Sequence, residues 1–416
     1  MTGPVTAFDL LLRDCRLADG RATDIGCRDG VIAELGALTE RAAHRLVECG
    51  GRAVTPGLVD AHIHLDKALL SERAPGVLGT LDEAIRVTGL AKRRFTVEDI
   101  RARARAVLDM AVSHGTTAMR SHVEVDPIVE LKALQALVPL REEYRPAIEL
   151  QLCAFAQEGI LQAPGTEALL ARALREGADL VGGCPYNDSD ARAQVDIVFR
   201  LATEFGVFAD FHVDFADEPE HLDVRYIAEQ TVRHGWQGKV AVGHVTELGA
   251  LLPPQQDEVI AEIRAAGLGV IVLPATDLYL MGRRDAHNIR RGLAPVKRLL
   301  AAGVPVAAAT NNVRNAFTPV GTANLALMGF LVSVGCHMGT RLDLLAALDM
   351  LTEHPARMLG RGPARVAEGA AADLVVWETE RAEDVIAALA PPLFVIKRGR
   401  ITVEHRRSID EPWRTC

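Results

Sequence analysis

The chain has 416 residues, 49% of them apolar and 24% charged, with a mean hydropathy of +0.12. That length predicts two or three domains, or one large barrel with additions, and leaves ample chain for a full core. Forty-six Lys and Arg against 55 Asp and Glu give a net charge of −9, and aromatic residues make up only 4%, so neither a phosphate backbone nor a base-stacking platform is expected as partner chemistry.

The opening MTGPVTAFDLLLRD has no basic stretch followed by a sustained apolar one, so no signal peptide is expected. No apolar run approaches the ~18 residues that cross a bilayer. Cys15, Cys27, Cys49, Cys153, Cys184, Cys336 and Cys416 are scattered, without C-x-x-C spacing, as small buried hydrophobes are in a reducing compartment. The expectation is a cytoplasmic protein with no membrane partner.

Residues 5–55 hold the β-rich pieces FDLLLRDCRLADG, TDIGCRDGVIAELG and HRLVECGGRAVTPG, with Gly and Asp at the turns. One theme then occurs eight times, a short apolar strand with a polar end followed by a helix-period segment. The strands read GLVDAHIH (57–64), TTAMRSHV (116–123), ELQLCAFA (149–156), ADLVGGCP (178–185), VFADFHVD (207–214), KVAVGHVT (239–246), GLGVIVLP (267–274) and VPVAAATN (304–311). Their near-continuous apolarity suits parallel strands buried on both faces. Thr80 with Glu83 predicts a capping box ahead of AIRVTGLAKRR, and Thr96 caps IRARARAVLDMAVSH, which stops at Gly115.

Eight such units in about 255 residues predict a (β/α)₈ TIM barrel. Residues 366–406 return to the β style in ADLVVWE and LFVIKRGRITVEHR. The expected architecture is therefore α/β: residues 1–56 and 359–416 together form a small discontinuous β-sandwich, with the tail, around a barrel at 57–358.

Barrel chemistry sits at the C-terminal strand ends. There strand 1 places His62 and His64, strand 5 His212 and strand 6 His244. Residues two apart on a strand share a face, so His62 and His64 both reach the barrel mouth. Neutral imidazoles in such a group bind Zn²⁺ or Fe²⁺ and leave a position open. The held cation makes water acidic enough to become a nucleophile near neutral pH.

PGLVDAHIHLDK, AFAQEGIL, DFHVD, VGHVT, NNVRNAFTPVGTAN and ADLVVW together resemble the amidohydrolase superfamily, nearest its subgroup of cytosine deaminase and N-isopropylammelide isopropylaminohydrolase. The resemblance runs from about residue 8 to 400 and implies a barrel with a β-sandwich and one Zn²⁺ or Fe²⁺. It puts the metal on His62, His64 and His212, and makes His244 the group that polarises water or substrate. Gln157 then hydrogen-bonds a heterocycle and Phe317 lines its pocket.

Two positions depart from that pattern. The metal-binding, proton-accepting aspartate of strand 8 is Asn311, and a proton-shuttling glutamate is Phe215, which is left to line the substrate pocket. Asn311 still ligates through its amide oxygen but is no base. Asp214, which shares strand parity with His212, is the first choice as replacement base, with a loop or supporting role equally open. Asp66, Lys67, Asp217, Glu218 and Glu247 are further choices. His122 and Asn312 are candidate substrate contacts, a structural role being the favoured alternative for His122, with Tyr186, Asn187, Asp188 and Tyr279 facing the same mouth, and Arg314 is placed to meet an anionic group or a neighbouring acid.

The function these residues and the resemblance together imply is metal-dependent hydrolysis of a non-peptide C–N bond on a small nitrogen heterocycle such as a pyrimidine or triazine. Deamination, dealkylamination and cyclic amide opening all fit. With Asn311 and Phe215 in place of two acids, a metal-independent reaction and a non-catalytic ligand-binding role are the alternatives. A homo-oligomer is expected.

Overall fold

The computed structural model describes residues 7–220 and 222–406, so His221 and Cys416 lie outside the described residues. Strands β1 (Phe8–Arg16), β2 (Ala22–Arg28), β3 (Val31–Gly36) and β4 (Ala43–Pro56) come first. Then follow β5 (Leu58–Ile63), β6 (Thr116–Glu124), β7 (Glu149–Ala156), β8 (Leu180–Gly183), β9 (Phe208–Val213), β10 (Val240–His244), β11 (Gly269–Val272) and β12 (Val306–Ala308). The chain closes with β13 (Leu374–Trp377), β14 (Pro392–Lys397) and β15 (Arg400–Glu404).

β5 to β12 lie side by side in chain order as one parallel sheet of eight strands. Each is buried along almost its whole length, as the unbroken apolar runs require. A bridge between Ile63 and Asn311 joins the two edges, with Asn311 N–H donating to the His62 carbonyl and His64 N–H to the Asn311 carbonyl. The barrel thus closes at the residues that carry its chemistry. Asn311 has φ +59°, a left-handed conformation that Asn and Asp tolerate better than other side-chain-bearing residues.

The two chain ends make a second sheet in the order β15-β14-β13-β4-β1-β2-β3. Its seam is antiparallel pairing of β13 with β4, Val375 opposite Thr55, clamped where Trp377 Nε1–H donates to Thr55 Oγ1 at 2.8 Å. Leu10, Leu12, Ile25, Leu374, Val376 and Ile396 fill its own core. Gly57 links this sheet to the barrel at a crossing with no room for a side chain, since a Cβ there would lie 2.2 Å from Thr117 Oγ1.

Helix α1 (Leu81–Ala91) begins where Thr80 Oγ1 accepts from Glu83 N–H. The predicted capping box is only half formed, because the Glu83 carboxylate turns instead to three N–H groups of the preceding turn, those of Val77, Leu78 and Gly79. Three charge-assisted bonds outweigh the single one a reciprocal cap offers. Helix α2 (Val97–Ser113) starts at Thr96, as expected, and gives way to Gly115 at φ +96°. Among the described residues no helix is long and apolar enough to cross a membrane.

Candidate active site

His62 and His64 alternate along β5 with Ile63 between them facing outward into the helix layer, so both imidazoles enter the barrel mouth. His212 reaches them from β9. Ring centroids lie 5.3 Å apart for His62 and His64, 4.4 Å for His62 and His212, and 5.2 Å for His64 and His212. One ligand nitrogen from each falls within 4.8 Å of the others. Gly243 on β10 makes room, since a Cβ there would meet His62 Cε1 at 3.3 Å.

The polar atoms of this group are left over by the rest of the fold. Both ring nitrogens of His62, Nδ1 of His64 and of His212, and Oδ1 of Asn311 are buried without a hydrogen-bond partner among the described residues. His64 Nε2 and His212 Nε2 face each other at 3.1 Å. Burial first, then neighbouring positive groups, hold all three imidazoles well below the ordinary histidine range, so they are neutral and keep the lone pairs a metal needs. Three neutral imidazoles and an amide oxygen fit a borderline divalent cation such as zinc or ferrous iron.

His62 also belongs to a second triplet with His122 and Asp210. There the Asp210 charge is already met by Arg120 Nη1 at 2.7 Å, which leaves the His62, His64 and His212 group the better cation site.

His244, at the end of β10, is held from below and from the side. Its Nδ1 lies 2.7 Å from Asp277 Oδ1, and Asp277 Oδ2 accepts from Leu273 N–H at 3.0 Å. Phe215 stacks on the imidazole with centroids 3.7 Å apart and planes inclined by 23°. With Nδ1–H donated to Asp277, the free nitrogen of His244 is Nε2, an acceptor.

A family model described as the amidohydrolase family matches residues 45–403. The chain belongs to that family. It is similar to the crystal structure of 5-methylcytosine deaminase from Klebsiella pneumoniae liganded with 5-fluorocytosine, at 30% identity and a TM-score of 0.91, covering 97% of this chain and 100% of that one. N-isopropylammelide isopropyl amidohydrolase of Pseudomonas sp. (strain ADP) is 29% identical over 406 residues, 95% of this chain and 98% of the relative. Pterin deaminase of Rhizobium rhizogenes is 29% identical over 409 residues, 96% of this chain and 90% of the relative.

In this amidohydrolase the other sequence candidates divide. Gln157, Phe317 and Lys67 converge, with Lys67 Nζ 3.1 Å from Gln157 Oε1 and 5.0 Å from the Phe317 ring centre. Asn312 lies beside them, its Oδ1 accepting from Asn315 Nδ2, which also donates to the Lys67 carbonyl. His122 stays beneath, 3.2 Å from Asp210 and 3.9 Å from the His62 ring centre, where it packs and orients rather than lines open space.

Asp214 does not join the histidines through any hydrogen bond of its side chain; Oδ2 accepts from Val224 N–H at the start of helix Asp223–His234. β9 ends at Val213 and Asp214 turns to φ +50°, so the strand alternation that aligned it with His212 has stopped. Burial and the nearby Glu247 hold its carboxyl well above the usual carboxylate range. Arg314 also turns away, onto Met110 of α2. Asp217 and Glu218 serve the outer loop, bonding Gly282 N–H and Arg290 respectively. Asn187 and Asp188 brace the loop after β7 by bonding the Gln157 carbonyl and the N–H groups of Ile160 and Leu161.

Sequence reasoning missed Asp277, Asp210 and Arg120. Arg120 spans the barrel interior from Gln151 Oε1 to Asp210 Oδ2 and the Met358 carbonyl, under the histidine layer. Arg120→Met leaves Asp210 buried without its partner, and a loss of about 3–5 kcal/mol of folding stability is expected. Chemical denaturation of the two proteins checks this; an unchanged midpoint would mean that His122 or water takes over the pairing.

A cover closes the mouth. The loop before α1 spans it, with Gly76 close to Ala316 and Gly79 against Tyr279 and Arg283, while Ala84 of α1 packs with Phe215, Leu280, Met281 and Phe317. His62, His64, His212, His244, Asn311, Gln157 and Phe317 are all at most 5% exposed.

Proposed function

We propose that this amidohydrolase hydrolyses a non-peptide C–N bond of a small nitrogen heterocycle, such as a pyrimidine or triazine. His62, His64 and His212, with Asn311 Oδ1, would hold one zinc or iron ion. The carrying observation is the set of buried, partnerless imidazole nitrogens converging at the strand ends opposite His244. The ion supplies Lewis acidity that makes water a competent nucleophile near neutral pH.

The protein's part is to place the ring and move the proton. Phe317 covers the heterocycle, and the closed mouth keeps bulk water from competing. His244 Nε2 takes the proton of the attacking water and returns it to the leaving nitrogen, the role that neutral Asn311 cannot fill. Asp277 holds the imidazole in the tautomer this needs, and Phe215 shields its face. The helix-capping contact of Asp214 argues against the earlier choice of that residue as base. The substrate class draws support from the names of the relatives, which act on triazine, pterin and cytosine rings.

Metal removal tests this directly. Protein stripped with a chelator should lose at least about 10²-fold in release of ammonia or amine from aminopyrimidines or aminotriazines, and recover it on adding zinc or ferrous iron. Full turnover by rigorously stripped protein would end the proposal.

A further inference from the structure

Lys67 is 1% exposed, yet among the described residues it has no carboxylate within hydrogen-bond distance. Its nearest acid, Glu124 Oε2, stands 3.8 Å away, and Glu124 is already bonded by Lys92, which Asp126 and Glu158 share. Asp66, the preceding residue, turns Oδ2 to Glu124 N–H. The Lys67 ammonium instead touches Gln157 Oε1 and sits over two aromatic faces, 5.0 Å from the centre of Phe317 and 5.3 Å from that of Phe155. Only one of its three N–H donors has a neutral oxygen to serve.

The same contacts occupy Gln157. Oε1 is held by Lys67, and Nε2 rests 3.5 Å from Cys184 Sγ. What this corner offers a ring lying against Phe317 is therefore a cation, with Gln157 acting as its anchor. The proposed metal set contains no carboxylate, since it consists of three imidazoles and an amide. Glu124 pairs with Lys67 only at 3.8 Å, beyond hydrogen-bond reach, and is shared with Lys92, so the ammonium keeps N–H donors that an anionic ligand oxygen can take.

We propose that the substrate brings a charged oxygen to those open donors: an anionic oxo-heterocycle, a ring whose lactam or imide has lost its proton, with its oxygen paired to Lys67 and its face on Phe317. Lys67 is then the specificity-determining residue. The inference rests on the hydrolase reading for where the ring lies, but the preference it asserts is measured by binding, without turnover.

The test is calorimetric titration of the full chain, zinc-loaded and chelator-treated, with three rings of similar size: barbiturate as the anion, uracil as a neutral dione, and 2-aminopyrimidine without an oxo group. Barbiturate should bind at least about 30-fold more tightly than uracil, and 2-aminopyrimidine most weakly. Lys67→Met should erase most of that advantage while uracil affinity changes less than about 3-fold. Lys67→Arg should keep it, and the ranking should persist in chelator-treated protein.

Uracil or 2-aminopyrimidine matching barbiturate in the unaltered protein would overturn the proposal whether or not the variants fold. So would an undiminished barbiturate advantage in Lys67→Met. A protein that ranks the probes as expected yet hydrolyses no ring retains the charge preference and loses the hydrolase reading.

Discussion

Asp277→Asn is expected to lower kcat by about 10²–10⁴ while leaving metal content and thermal unfolding close to those of the parent. The reason lies in the two bonds the carboxylate makes. Oδ2 must accept from Leu273 N–H, and Oδ1 accepts from His244 Nδ1–H. An asparagine meets the first demand only by turning its oxygen to Leu273, which points its NH₂ at His244 Nδ1. The imidazole then has to accept there and carry its proton on Nε2. The nitrogen required as proton acceptor is lost, although every heavy atom stays in position.

A structural role alone predicts something different: lower stability, with whatever protein remains folded still active. Steady-state kinetics on the variant, with zinc content measured on the same sample, separates the two. Unchanged kcat would remove His244 from the proton path.

Asn311→Asp is expected to tighten metal binding by about 10³-fold, because a unit charge ~4 Å from its partner is worth about 4 kcal/mol at an effective dielectric of 20. The backbone allows the change, since φ +59° at this position suits Asp as well as Asn. Competition for zinc against a chelator of known affinity measures the gain. No gain would mean that Asn311 Oδ1, although buried and partnerless, does not face the cation. With the added negative charge, the preference for anionic rings should weaken in the same protein, which ties this variant to the role proposed for Lys67.

Much of the fold could be read from local pattern. Seven of the eight barrel strands fall within the segments marked by apolar runs with polar ends and β6 runs one residue past its own, and β1 to β4 join β13 to β15 in one sheet as the flanking β style implied. The His62 and His64 pair followed from strand alternation, and its partner His212 from the rule that barrel chemistry sits at strand ends. Alternation also led astray. It holds only while the backbone remains extended, and Asp214 comes one residue after β9 ends. Asp277 was within reach of the same strand-end rule, because it follows β11 by five residues, but LPATDLYL reads as an ordinary turn and short helix. Arg120 and Asp210 were hidden inside strand segments, Arg120 between Met119 and Ser121 and Asp210 between Ala209 and Phe211.

What the amino-acid order determined by itself is everything carried by short-range periodicity: strand, helix, and the face each histidine takes; the reading of Asn311 and Phe215 as replacements for two acids came from the family resemblance. Only the tertiary structure decided the pairings that give those residues work. Asp277 meets His244 across 33 residues, Lys67 meets Gln157 across 90, and Thr310 meets Asp60 across 250. Such contacts depend on how the barrel closes and where its loops fold back, and the free energy that selects them comes from burying distant groups together, which no window of neighbouring residues contains.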